Sequence, residues 1–149
     1  TLPLAATYRS NLVNHEEGID DVETETPAAI NAHITSSEID LQGGDKFGLV
    51  RRVLPDITFD GSTIDAPNAI MTLNPLQNSG SGYNSPLSEG GNSAGTITRS
   101  ATAPVEAYTG QVNIRVRGRQ MSMKIESTDT GVQWQLGHPR VDVRADGGR

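Results

Sequence analysis

Arg115, Arg117 and Arg119 recur at every second position, and Lys124, Arg140, Arg144 and Arg149 follow them in the last third of the chain. On a strand, alternate residues share a face, so Arg115 and Arg117 are expected to present a row of guanidinium groups. Such a row can read phosphate, or it can pair with carboxylates, for which arginine's planar fork is well suited. No aromatic residues are interleaved as base-stacking platforms. Glu126, Asp142 and Asp146 lie close by in sequence. The pattern therefore favours ion pairing, within the domain or with an acidic neighbour, over nucleic-acid binding.

Other chemistry finds less support. His15, His33 and His138 are the only imidazoles, and His15-Glu16-Glu17 lacks the second His, four residues on, that a helical zinc site requires. Asp20, Asp21, Glu23 and Glu25 offer oxygen ligands of the kind calcium takes, without the loop glycine and terminal bidentate Glu of a calcium loop. They read as a solvated acidic arm. There is no cysteine, no Gly-x-Ser-x-Gly elbow and no Gly-x-x-x-x-Gly-Lys phosphate cradle. Carboxylate pairs for glycoside cleavage meet only in a fold, and no residue pattern points to one. The expectation is of no catalytic, cofactor-binding or metal-ligating residue, and of no cofactor. Trp134 is expected to close the core.

Composition bounds the possible partners. A chain of 149 residues suits one domain, and 34% hydrophobic with 4% aromatic residues allows a modest core. No apolar run approaches the roughly 20 residues that span a bilayer, so no membrane insertion by this segment is expected. A net charge of −6 disfavours generic coating of DNA. That charge is uneven: residues 1–48 hold two basic and nine acidic side chains, residues 49–110 three and five, and residues 111–149 seven and four. The two ends should attract each other, or each other's copies. Opening at Thr1 with no leader pattern, the chain reads as a processed product or as part of a longer chain, and the fragment reading is the one expected.

These residues need strands to position them. Residues 1–26 lack a helical stripe and read as an acidic extended arm or linker. Residues 27–149 read as an antiparallel β-sandwich-like domain of seven to nine strands, with turn signals every 8–12 residues and no helix. Ile30, Ala32 and Ile34, then Ile39 and Leu41, predict one irregular strand or two short ones. Phe47, Leu49, Val53, Ile57 and Phe59 predict another stretch, with Pro55 at a junction. Ala69, Met71 and Leu73 alternate with Ile70, Thr72 and Asn74, which predicts a further strand. The Gly/Ser/Asn-rich segment between Asn74 and Gly95 predicts a long mobile loop, and Thr96 to Ala103 a short strand ended by Pro104. Val112, Ile114 and Val116 point one way. Past Gly118 the apolar parity flips to Met121, Met123 and Ile125, which predicts a β-bulge or a tight hairpin at that glycine. Thr128 to Gly131 predicts a turn, followed by strands over Val132 to Leu136 and Val141 to Arg144.

Several runs, taken in their order along the chain, resemble a known family. They are His15-Glu16-Glu17-Gly18, Gly44-Asp45-Lys46-Phe47, Arg51-Arg52-Val53-Leu54-Pro55-Asp56, Gly61-Ser62, Arg117-Gly118-Arg119-Gln120-Met121, Glu126-Ser127 and Gly131-Val132-Gln133-Trp134-Gln135-Leu136-Gly137. With the ending Pro139-Arg140-Val141-Asp142-Val143-Arg144-Ala145-Asp146-Gly147-Gly148-Arg149, they resemble the C-terminal region of the tail nozzle, or tubular tail protein B, of short-tailed bacteriophages. Family members close with a terminal Gly-Arg-Arg, from which Gly148 departs.

The resemblance runs from about His15 and covers only the end of the family's length. It implies a structural protein of the virion tail, without catalytic residues. It also implies a homo-oligomeric six-fold ring that contacts a tail adaptor or tail fibre and spike proteins, with genomic DNA passing through and not held tightly. Arg115, Arg117, Gly118, Arg119, Trp134, Arg140, Asp142 and Arg144 are the structural or interface candidates. Other tail proteins with a similar closing domain, tail adaptors and stabilisation proteins among them, stay open as alternatives, and a carbohydrate- or receptor-binding module is the alternative from another class.

Overall fold

Every regular element among the described residues is a β-strand, and every pairing between strands is antiparallel. The structure, a computed structural model, describes residues 3–15, 17–76 and 100–147. The loop expected between Asn74 and Gly95 gives way at its start to strand, which runs through Leu76; its residues 77–95 lie outside the described ones, as do residues 96–99 of the next expected strand and Arg149. The first 26 residues, expected as an extended arm, carry strands of their own. β1 (Leu4–Ala6) and β2 (Leu12–Asn14) form a hairpin, and β3 (Asp20–Asp21) pairs with β4 (Ala28–Ala29).

The Ile-rich segment resolves into two short strands, β5 (Ala32–Thr35) and β6 (Ile39–Asp40), along one edge of a larger sheet. Between them Ser36 keeps the ladder satisfied: its backbone N–H donates to Met123 O at 2.8 Å, and its Oγ accepts from Met123 N at 3.0 Å. β7 (Gly48–Leu54) is followed by β8 (Ile57–Thr58), with Pro55-Asp56 at the junction where a residue lacking an N–H is tolerated. β9 (Asn68–Leu76) buries Ala69, Met71 and Leu73 completely, as its alternation predicts. β10 (Ala101–Glu106) continues through Pro104, where the sequence suggested an end. It is the sheet's edge strand, pairing on one side only, so proline costs it no ladder bond on its open side.

β11 (Val112–Gly118) and β12 (Gln120–Ser127) correct the reading at Gly118. They form neither one bulged strand nor a hairpin, because they belong to different sheets. β12 sits between β9 and the β5/β6 edge in the sheet ordered β10-β9-β12-β5, whereas β11 pairs with β7. The chain turns a corner at Gly118-Arg119 and passes from one layer to the other. Val112 and Val116 reach the shared core from one side; Met121, Met123 and Ile125 reach it from the other. The parity flip is the signature of that change of layer. Gly118 has no positive φ. It is needed because a Cβ there would lie 2.9 Å from Pro75 Cβ and Gln120 O and 3.0 Å from Leu76 O. The bulge itself lies upstream, where Ile114 and Arg115 of β11 together face the single residue Arg51 of β7.

β14 (Arg140–Ala145) completes the second sheet, ordered β11-β7-β14. Val50 and Val53 are the fully buried residues of β7. Leu49, expected inward, falls on the opposite face because the irregularity at Arg51 shifts the phase. The strand expected over Val132 to Leu136 shortens to β13 (Gln135–Leu136), which pairs with β8. The preceding residues serve the turn around Gly131 instead. The two sheets face one hydrophobic core, a sandwich-like arrangement in which each fully buried Leu, Met or Ile contributes about 1.5–3 kcal/mol.

Gly118→Val should force the corner apart and cost about 1–3 kcal/mol, as overpacking does. Thermal or denaturant unfolding reads the loss; an unchanged midpoint would show that the corner has room.

Candidate functional site

The outward face of the β11-β7-β14 sheet gathers six of the chain's ten arginines. Cross-strand register places Arg117, Leu49 and Arg144 in one row, and Asn113, Arg52 and Asp142 in another. Arg140 stands opposite Leu54. At the bulge, Arg51 and Arg115 line a shallow depression of about 300 Å³ with Asn113 and Ile114. Six arginines thus share this face with two carboxylates, Asp142 and Asp146, on a chain of net charge −6.

Two of the six are engaged. Arg52 Nη2 lies 3.7 Å from Asp142 Oδ2, with both side chains more than a third exposed, so the pair contributes under about 1 kcal/mol. Arg52 Nη1 also reaches Gln111 Oε1 at 3.4 Å. Arg117 Nε pairs with the Asp146 carboxylate, and its guanidinium stacks 3.9 Å from the centroid of Phe47. Arg119, just past the corner, approaches the same ring at 5.0 Å. These cation–π contacts help cover an aromatic ring that would otherwise face water from the outside of the sheet. Arg51, Arg115, Arg140 and Arg144 are exposed, and among the described residues none has an ion-pair partner.

Of the candidates read from sequence, Arg115, Arg117, Arg140, Asp142 and Arg144 come together on this face. Gly118 closes β11 at the corner, and Arg119 lies beyond it. Glu126, weighed as an arginine partner, pairs instead with Lys124 in the other sheet. Trp134 stands apart from the arginines: half-buried against the core, it donates from Nε1 to Ser127 Oγ at 3.0 Å. It also lines an open depression of about 670 Å³ with Ile19, Ile30, Asn31, His33 and Gln133. Sequence reasoning missed Arg51 and Arg52 as members of the basic face, although two adjacent arginines inside an expected strand already meant that one of them broke the alternation.

The acidic segment is anchored by a contact no motif announced. Both Asp20 carboxylate oxygens accept from Gly131 N, at 2.8 and 3.0 Å. Gly131 has φ +75°, and a Cβ there would lie 2.7 Å from Thr63 Oγ1, so glycine alone suits this turn. Among the described residues, no three His, Asp or Glu side chains gather in a way that could hold a metal ion. Among the same residues, no helix is long and apolar enough to cross a membrane. Neither a protein-family model nor a curated protein matches the chain.

Asp20→Ala should cost about 1–3 kcal/mol, because it strips the partner from a buried N–H. Arg115→Ala should change stability by less than about 0.5 kcal/mol, because it removes a solvated side chain. Urea unfolding of both variants checks the contrast. A large loss for Arg115→Ala would give that residue a partner within the subunit.

Proposed function

We propose that the chain is a structural component of a short bacteriophage tail, part of the nozzle or tail tube through which the genome leaves the virion. One observation carries this reading. The runs that resemble the nozzle family are scattered in sequence yet meet in space. Phe47 lies under Arg117 and Arg119. Asp56 accepts from the backbone N–H groups of Gly137 and His138. The stretches 51–54 and 140–145 pair as neighbouring strands, with Arg52 bridged to Asp142. Segments that resemble a family singly are weak signals; the same segments packed on one another describe one structural unit. The role is mechanical, with interactions supplied by sheet faces and edges.

A conduit must let a polyanion slide. A chain of net charge −6 should therefore bind duplex DNA no more tightly than the roughly 10⁻⁴–10⁻⁶ M of non-specific contact at physiological salt. Mass spectrometry of purified virions and of detached tails tests placement: peptides of this chain are expected in the tail fraction at several copies per particle. Their absence from virions would overturn the reading.

A second reading, a carbohydrate- or receptor-binding module of a tail protein, is favoured by the depression beside Trp134, where an indole, two amide side chains and an imidazole converge. A glycan array is its test; a hit lost on Trp134→Ala would support it.

A further inference from the structure

We propose that the arginine face of the β11-β7-β14 sheet is the docking surface for the acidic segment 17–25 of a second copy of this chain. The inference rests on the assembly reading above and names the surfaces that would make the contact.

Among the described residues, four arginines of the face and four acids of the 17–25 segment lack ion-pair partners. Arg51, Arg115, Arg140 and Arg144 face water with no anion among the described residues. Among the described residues, Glu17, Asp21, Glu23 and Glu25 have no cation: Glu17 accepts from Asn14 Nδ2 at 2.6 Å, Asp21 accepts from its own segment at Glu23 N at 2.9 Å, and Glu23 Oε1 is buried without a hydrogen-bond partner. The acidic segment is not free to fold back. Asp20 ties it to Gly131, and β3 ties it to β4. One molecule therefore keeps the two surfaces apart, and two molecules can join them. Arginine's fork binds carboxylates bidentately, which gives such a contact both strength and register.

The apolar content selects a protein over a nucleic acid. Leu49, half-buried on the central strand, lies between Arg117 and Arg144 of the flanking strands, and Leu54, also half-buried, lies beside Arg140. The acidic segment carries Val22, which is 70% exposed, and Ile30 nearby is 52% exposed. A peptide with carboxylates and aliphatic side chains matches both components of the face; a phosphate backbone offers nothing to the leucines. Because the face of one copy meets a different surface on the next, the contact is heterologous, and repetition closes a ring or extends a filament.

The test is sedimentation velocity of the purified chain at low, physiological and high salt, with two charge-reversed variants. Arg51→Glu with Arg115→Glu, and separately Asp21→Arg with Glu25→Arg, should each weaken self-association about tenfold or more, and mixing the two variants should restore hetero-association. Circular dichroism and the unfolding midpoint establish that both variants fold, as expected for solvated side chains. Self-association indifferent to both reversals and to salt would overturn the proposal and leave the tail assignment standing. Submicromolar duplex DNA binding lost on Arg51→Glu with Arg115→Glu would also overturn it, giving the face to DNA. A chain that stays monomeric at every salt concentration overturns it as well, while detection in the tail fraction decides the assembly reading independently.

Discussion

The backbone at Gly118 passes so close to Pro75 and Leu76 that no side chain fits between them, and the two-layer arrangement depends on that passage. β11 and β12 are consecutive in sequence and separated by a single residue, yet one belongs to each sheet. The crossing fixes where the sheets face each other: the Val112 and Val116 side chains come from one layer, and the Met121, Met123 and Ile125 side chains from the other. Arg119 N donates to Leu76 O at 2.8 Å, and Leu41 N to Arg119 O at 2.7 Å, so the corner is stitched to both neighbouring segments. Registers on either side follow from this point, including the one that aims the arginines outward.

The second determinant is the bulge around Arg51. β11 places two residues opposite Arg51, and β14 places none, since Asp142 pairs with Arg52 and Val143 with Val50. The irregularity returns Val50 and Val53 to the core and leaves Arg51 and Arg52, adjacent in sequence, both exposed on the outside. The arginines then divide by role. Arg117 and Arg119 cover Phe47, and Arg117 also holds Asp146, which gives them work within the subunit. Arg51, Arg115, Arg140 and Arg144 have no ion-pair partner among the described residues, and solvated guanidinium groups contribute little to stability. Their concentration on one face of an acidic protein makes sense for a contact formed outside the subunit.

Strand alternation was the most legible part of the sequence. Met71, Leu73 and Ala69 in β9 and the Val112 and Val116 pair in β11 face the core as their period of two requires. Partner choice between strands was not legible, because period-two patterning says which face is buried and nothing about which strand lies alongside. The flip at Gly118 was visible and its cause was not: a bulge and a change of sheet produce the same parity shift. Leu49 was misplaced because a uniform count from Phe47 to Phe59 cannot see a bulge inside it. Asp20 was read with the solvated acidic arm, and its anchoring role was not legible because its partner is a backbone N–H 111 residues away, a contact that leaves no residue-type signature. The arginines of β11 and β14 were readable as a group, whereas Arg51 and Arg52 joined them only through the pairing of β7.

The central claim is that this arginine face is covered by a neighbouring copy in the assembled particle. An electron cryo-microscopy map of the intact tail, at a resolution that shows side chains, addresses it directly. The account predicts density for the 17–25 segment of the adjacent copy against the β11-β7-β14 sheet, with its carboxylates within salt-bridge distance of Arg51 and Arg115. A map in which that face lines the channel or lies open to solvent would contradict it.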